Sequence, residues 1–332
     1  MYETGTTKML VILILEILRK YSDAEHRLTQ QDILRYLKLE YGAVCDRRSV
    51  KSNVECLVEL GYDIDMKKGY CLLSPDFEPA ELRMLIDSVL CSKNITQQQA
   101  KVLIEKLQLQ GNKYFKPKVS HVCNLPTLHH GDNTQFLYAL DALNDAINAG
   151  QKVSFVYNSY GTDFQLHPRR QEPYVVNPYQ LVVANGFYYL IANYDKYDDI
   201  SHYRLDKITQ VQLLPDRAKP IKNLPGQENG LDLPQHLSEH IYMFSGASVN
   251  VQLQVPQHLM NELVDWFGKD FRIVSQQEGD MVIAVKCNRQ AMVYWALQYG
   301  PYAQVLSPVD LRQELAEKVR EMYQRYCASS EK

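Results

Sequence analysis

The chain has 332 residues, with 36 Lys+Arg against 39 Asp+Glu, 45 % apolar and 23 % charged content. That length predicts two or three domains, the composition excludes wholesale disorder, and a net charge of −3 gives no global sign of nucleic-acid binding. The longest apolar run, Met9 to Leu15, is too short to span a bilayer and has no basic flank or cleavage site, so neither membrane association nor secretion is expected. The seven cysteines (Cys45, Cys56, Cys71, Cys91, Cys123, Cys287 and Cys327) are odd in number and form no CxxC pair, which fits reduced thiols in a cytoplasm.

Residues 8 to 74 read as three helices and a short ribbon. Lys8 to Tyr21 places Leu10, Leu13, Ile14, Ile17 and Leu18 on one stripe. Thr29 is a good N-cap for a second helix, with Asp32 at its positive end and Ile33, Leu34 and Leu37 as its apolar stripe. Asp46 caps a third, which runs through Val50, Val54, Leu57 and Leu60 to Gly61. Tyr62 to Leu72 then predicts two short strands around Lys67-Lys68-Gly69. Two more helices fill 77 to 110, residues 111 to 134 read as a linker, and Thr134 to Ala149 is again helical.

From 151 the pattern turns to strands: KVSFVY, PYQLVVA, FYYLIAN and Ile208 to Leu214, with Asn185-Gly186 as a strong hairpin signal. Ten of the 23 Tyr fall between Tyr138 and Tyr203, an enrichment that suits a small barrel or a stacking surface. Residues 247 to 326 read strand, helix, strand, strand, helix, strand and a long final helix, the ferredoxin-like order.

Helix, helix, turn, helix and ribbon is the winged helix-turn-helix layout, in which the third helix enters the major groove. Arg47, Arg48, Ser49, Lys51, Ser52 and Asn53 crowd its first two turns; Arg suits guanine, Asn suits adenine, and Ser or Lys suit phosphate. Adjacent helical positions diverge by about 100°, so the sequence leaves open which of Arg47 and Arg48 faces the groove. Lys67 and Lys68 occupy the wing tip, and Thr29 and Gln30 open the preceding helix, where free N–H groups suit a phosphate. The competing reading is a solvated helix face.

Asn177 to Ile208, NPYQLVVANGFYYLIANYDKYDDISHYRLDKI, resembles the WYL domain. Gly186-Phe187-Tyr188-Tyr189-Leu190 stands where the family has Gly and then Trp-Tyr-Leu, so Tyr188 replaces the Trp. Tyr203 to Ile208 matches the aromatic-Arg-Leu-Asp-basic-Ile signature, while Ser201 and His202 stand where many members carry a further Arg. The ending GPYAQVLSPVDLRQEL is similar to that of the family's C-terminal extension. The resemblance implies an α+β multidomain regulator of bacterial type. Its parts would be a winged helix-turn-helix over 1–76, a helical and irregular linker over 77–134, an Sm-like SH3-type β-barrel (the WYL sensor) over 135–222, and a connector with a ferredoxin-like extension over 223–332. Nucleotide-like or single-stranded DNA ligands are implied as effectors.

The residues suit such an anion. Arg204 and Lys207 stand with His202 and Tyr203 at a strand exit, and Arg169 and Arg170, beside His167, are placed to converge on them. Guanidinium groups pair phosphate bidentately, and Tyr179, Tyr188 or Tyr189 offer stacking faces. Against this, Asp206 is a ready structural ion-pair partner for Arg204 or Lys207, and Tyr188 and Leu190 fit a barrel core.

His236-Leu-Ser-Glu239-His240 matches H-x-x-E-H, the pattern of inverted zinc peptidases. It lies in a short polar connector without a third ligand, so chance is the preferred reading, as for His129-His130 with Asp132. Cys45 before Asp46 is more readily a packing residue than a redox sensor. No Walker A, GxGxxG or GxSxG motif occurs. The sequence therefore predicts a cytoplasmic, non-enzymatic, homodimeric regulator without cofactor or metal. Its expected partners are double-stranded operator DNA and a nucleotide or single-stranded nucleic acid effector. The alternative is an accessory protein that binds single-stranded DNA or RNA without promoter-specific regulation.

Overall fold

The computed structural model describes residues 9–115 and 130–327. The predicted helix start at Lys8, together with Cys123 and His129, lies outside them. The chain divides into two compact units, Met1–Gly131 and Asp132–Lys332.

In the first unit, α1 (Leu10–Tyr21), α2 (Gln30–Tyr41) and α3 (Arg47–Glu59) pack around Ile14, Ile17, Leu18, Ile33, Leu37, Val50, Val54 and Leu57. The predicted caps are present. Thr29 accepts from the Asp32 N–H while Asp32 accepts from the Thr29 N–H, a reciprocal box, and Asp46 accepts from the Ser49 N–H at 2.7 Å. The ribbon is shorter than expected, with β1 (Ile64–Asp65) and β2 (Cys71–Leu72) of two residues each. Leu28 extends it by exchanging both backbone hydrogen bonds with Tyr70, at 2.9 and 2.7 Å. Gly69 has φ +106°, and a Cβ there would sit 3.1 Å from the Leu28 carbonyl oxygen, so this turn requires glycine.

The predicted helices after the ribbon are α4 (Pro79–Leu90) and α5 (Gln97–Gln108), which bury Leu82, Ile86, Leu90 and Ile104 with Phe115 in a small core of their own. Asn112 ties this part to the first by donating to the Ser22 carbonyl and the Asp23 carboxylate.

The second unit opens with α6 (Phe136–Ala149), laid against a curled antiparallel sheet of six strands. These are β3 (Gln151–Tyr160), β4 (Leu166–Pro168), β5 (Tyr174–Ala184), β6 (Phe187–Asn193), β7 (Ile200–Arg204) and β8 (Ile208–Arg217). β3 is the hub, pairing with β8 along one edge and with β5 and β4 along the other. The three-residue turn Leu205–Lys207 joins the edge strands β7 and β8, so the sheet curls into a half-barrel. The β5–β6 hairpin turns on Asn185 (φ +53°) and Gly186 (φ +77°), the two left-handed residues that the Asn-Gly signal predicts. The sequence implies a strand ending near Arg204 and a neighbour near Arg169 but sets bounds for neither β7 nor β4. β7 reads Ile-Ser-His-Tyr-Arg, whose polar residues fall on both faces and hide the alternation.

Residues 233–239, which the sequence leaves as connector, form a short helix, α7 (Leu233–Glu239). A four-stranded antiparallel sheet follows: β9 (Ser248–Pro256), β10 (Arg272–Gln276), β11 (Asp280–Asn288) and β12 (Gln304–Ser307), in the order β10-β11-β9-β12. Helices α8 (Met260–Phe267), α9 (Arg289–Gln298) and α10 (Val309–Cys327) accompany it, with Trp295, Phe267, Leu253 and Ile283 at the core. Among the described residues no helix is long and apolar enough to cross a membrane.

Candidate nucleic-acid interface and cationic ligand site

The buried stripe Val50–Val54–Leu57 fixes how α3 is turned. At about 100° per residue, Arg48 and Ser52 project opposite that stripe, Lys51 lies on one flank and Arg47 nearer the stripe. Arg47, Arg48, Lys51 and Ser52 are exposed, and among the described residues neither arginine forms an ion pair. Lys51 lies 3.7 Å from Glu55, a loose one-turn pair. Ser49 and Asn53 are half-buried, and Asn53 donates back to the Ser49 carbonyl at 2.7 Å. Lys67 and Lys68 are exposed at the ribbon tip, where Asp65 accepts from the Lys67 N–H and pairs with Arg27 at 2.7 Å.

Thr29 and Gln30 are placed differently. The Thr29 hydroxyl donates to Asp32, whose carboxyl this bond holds below its usual range, and the Gln30 amide donates to the Tyr70 hydroxyl. The Asp32 carboxylate thus already answers the N-terminus of α2.

In the second unit the structure gathers part of the expected ligand set around a residue the sequence reading missed, Tyr157. Its ring lies in β3, buried within an aromatic cluster of Phe155, Tyr174 and Tyr203 whose centroids are 5.2 to 6.4 Å apart. The Arg169 guanidinium approaches the Tyr157 ring at 5.7 Å, and the Tyr157 hydroxyl accepts from the Arg204 N–H. Arg204 lies 3.5 Å above the Phe187 ring and grips buried Asp206 with two bonds, at 3.0 and 2.6 Å. Burial disfavours the Arg204 charge, but the Asp206 bonds outweigh it and raise its pKa. Lys207 sits alongside. Burial and then the Arg204 charge push its pKa down, with Arg169 adding to the effect and Asp206 opposing it. Three cations thus crowd one carboxylate. Tyr160 closes the neighbourhood. Burial and its hydrogen bond to Asp132 push its hydroxyl up to about 12.

The other expected residues are paired, packed or turned elsewhere. Arg170 stacks on Tyr174 at 3.6 Å and donates to the Glu172 and Pro173 carbonyls, and exposed His167 is paired with Asp163 at 2.8 Å. Tyr189 and Tyr203 are each only 8 % exposed, so their faces belong to packing. Tyr179 keeps its hydroxyl buried without a partner beside a separate groove lined by Arg217, Lys219 and Leu231. His202 turns to His236 instead, Nε2 to Nε2 at 2.8 Å. Within H-x-x-E-H, Glu239 is held by Lys286 at 2.9 Å, and among the described residues no set of three His, Cys, Asp or Glu is arranged to hold a metal.

The second unit is therefore a curled antiparallel sheet with a cation-rich, aromatic-backed patch, followed by a four-stranded sheet. Residues 138–213 match the WYL domain and residues 248–323 the WCX domain. No curated protein matches the chain. Among solved structures, it is similar to proteasome accessory factor B/C (PafBC) of Arthrobacter aurescens at 14 % identity, covering 93 % of this chain and 47 % of that one, with a TM-score of 0.29. The chain thus spans about half the length of that protein. It is also similar to a CRISPR Cas-related protein at 12 % identity, covering 100 % of this chain and 88 % of that one, with a TM-score of 0.38.

Proposed function

We propose that the chain is a ligand-responsive, DNA-binding transcriptional regulator. In this reading residues 1–76 are a winged helix-turn-helix, 77–134 a linker, 135–222 an Sm-like SH3-type sensor barrel, and 223–332 a connector with a ferredoxin-like extension. The protein works as a homodimer on double-stranded operator DNA. The observation that carries the reading is the exposed placement of Arg47 and Arg48, without an ion pair among the described residues, with Lys51 on the opening turns of α3 and with Lys67 and Lys68 exposed on the ribbon. Glu55 and exposed Glu59 further along α3 confine DNA contact to those turns, because carboxylates repel phosphate.

The effector in this reading is a nucleotide or single-stranded nucleic acid, its phosphate held by Arg204, Arg169 and Lys207. Replacing Arg47, Arg48 and Lys51 together by Ala removes exposed side chains only, so the fold persists while operator binding drops at least a hundredfold and its salt dependence flattens. Binding that is unchanged refutes the assignment. The aromatic-backed cations of the second unit also suit the accessory reading, in which single strands are held without a promoter. A footprint with two-fold symmetry separates the two, since a dimer imposes half-site symmetry on its operator.

A further inference from the structure

The histidines outside the cationic patch form a cluster of their own. His202 projects from β7; His236 lies on α7 and His240 caps its end. The ring centroids are 4.2, 5.0 and 5.1 Å apart. One of the His202 and His236 Nε2 atoms carries a proton and donates to the other across 2.8 Å, while His240 donates from Nδ1 to the His236 carbonyl. Among the described residues the buried His202 Nδ1 has no hydrogen-bond partner.

This contact fastens a lid. Leu231, Leu233, Leu237 and Met243, from α7 and its flanks, cover the apolar face made by Val182, Tyr189 and Ile191 with Phe187 and Ile200. Asn185 donates to the Ile241 carbonyl at 2.7 Å, and Ser245 accepts from the His202 N–H.

We propose that residues 231–240 are a proton-released latch, hinged on Ile241, Tyr242 and Phe244 in the core of the β9–β12 sheet, closed by the neutral His202–His236 pair and opened when the pair is protonated. Two protons on the pair would set two N–H groups of like charge against each other across 2.8 Å. One proton would leave a buried cation, which burial and the His240 ring disfavour at His236 more than Glu239 favours it. Glu239, on α7 itself, is engaged by Lys286 of β11 and by Gln235. Asp198 and Asp199, before β7, line the mouth of the adjoining cleft, and Asp198 is paired with Lys219. Arg204, two residues along β7 on the same side, is itself a cation bound to Asp206. From β6 the residue opposite His202 is Ile191, the stretch before β9 offers Ser245, and the first residue of β9 offers Ser248. Burial and the neighbouring imidazoles accordingly hold His202 and His236 well below an ordinary histidine. Opening restores both rings to water, so each favours the open form about tenfold between pH 7.5 and 5.5, about a hundredfold together.

The test is amide hydrogen exchange of the full chain at pH 7.5 and 5.5, read by mass spectrometry with the intrinsic exchange rate divided out. Protection of 231–240 falls about a hundredfold at the lower pH, while β6, held between β5 and β7, and β9 and β11 stay protected. His202→Gln and His236→Gln, made singly, each remove about tenfold of that response; if one fails to fold, the other carries the test. A change under tenfold in the native chain, equal loss in β9 and β11, an undiminished response in a folded variant, or stoichiometric zinc in the purified protein each overturns the latch.

Discussion

Asp206→Asn separates the two roles the cationic patch can have. The Asp206 side chain is 5 % exposed, and the Arg204 side chain that it holds is 27 % exposed. Removing one partner of a fully buried pair costs about 3–5 kcal/mol, and of a surface pair about 0–1 kcal/mol. Arg204 keeps partial access to water and its seat on Phe187, so the expected loss is about 2–3 kcal/mol, between those limits. Urea denaturation reads it as a lower midpoint at unchanged slope. The double variant with Arg204→Met should be less destabilised than the single effects sum to, by about 1–2 kcal/mol, because the two side chains act as one unit.

The same substitution should tighten anion binding. It leaves Arg169, Arg204 and Lys207 without their carboxylate, and one charge removed at about 8 Å is worth about 0.5–2 kcal/mol, a gain of ~2- to 30-fold. A 5′-phosphorylated thymidine oligonucleotide reports this by fluorescence anisotropy, and Arg204→Ala should lose binding on the same probe. If Asp206→Asn leaves stability within about 0.5 kcal/mol of the native value, the ion pair is not structural. If it weakens oligonucleotide binding instead, the patch is not an anion site.

The histidine cluster also makes overall stability depend on pH. His202 and His236 titrate at about 3 and about 4 in the folded chain against 6.5 in the unfolded one, chiefly through burial. Stability from this source is therefore complete above about pH 7.5, falls as the pH drops through 6.5, and levels off near the folded values. Between pH 7.5 and 5.5 the loss is about 1.4 kcal/mol for each ring and about 2.7 kcal/mol together. Chemical denaturation at the two pH values checks it, and equal stabilities refute the neutral buried pair. On α3, Arg48→Ala should weaken operator binding more than Arg47→Ala, by about 1 kcal/mol or more, since Arg48 points away from the core. Electrophoretic mobility shift distinguishes them, and the reverse order refutes the facing derived from Val50, Val54 and Leu57.

Much of the fold was legible because its determinants are local. Thr29 and Asp46 announce two helices by side-chain capping, Val50, Val54 and Leu57 announce the buried face of α3, and Asn185-Gly186 announces the hairpin. The sites were less legible because their determinants are not local. Tyr157 meets Arg204 across 47 positions, a contact created by the curl that joins β7 to β8 through Leu205–Lys207. His236 and His240 show their spacing in the sequence, but His202 joins them from 34 positions upstream only because α7 folds back over β7. Residue type alone separates exposed from packed positions better for arginine than for tyrosine. An arginine stays near water wherever it is, whereas Tyr189 and Tyr203 serve a core as readily as a binding face.

The net charge of −3 is uninformative for the same reason. A sum over the chain is blind to placement, and placement decides what each charge does. Residues 223 to 332 carry a net of −4, and the remainder a net of +1. Within that near-neutral remainder, Asp206 cancels Arg204 in the count. In the structure it does something else: buried and bidentate, it holds the guanidinium over Phe187, beside Arg169 and Lys207. On α3 the cations occupy the opening turns and the carboxylates the later ones, so neutrality on average coexists with a helix end that presents positive charge. An anion meets local arrangement before it meets the average, because charges beyond about 8–10 Å are screened at physiological salt.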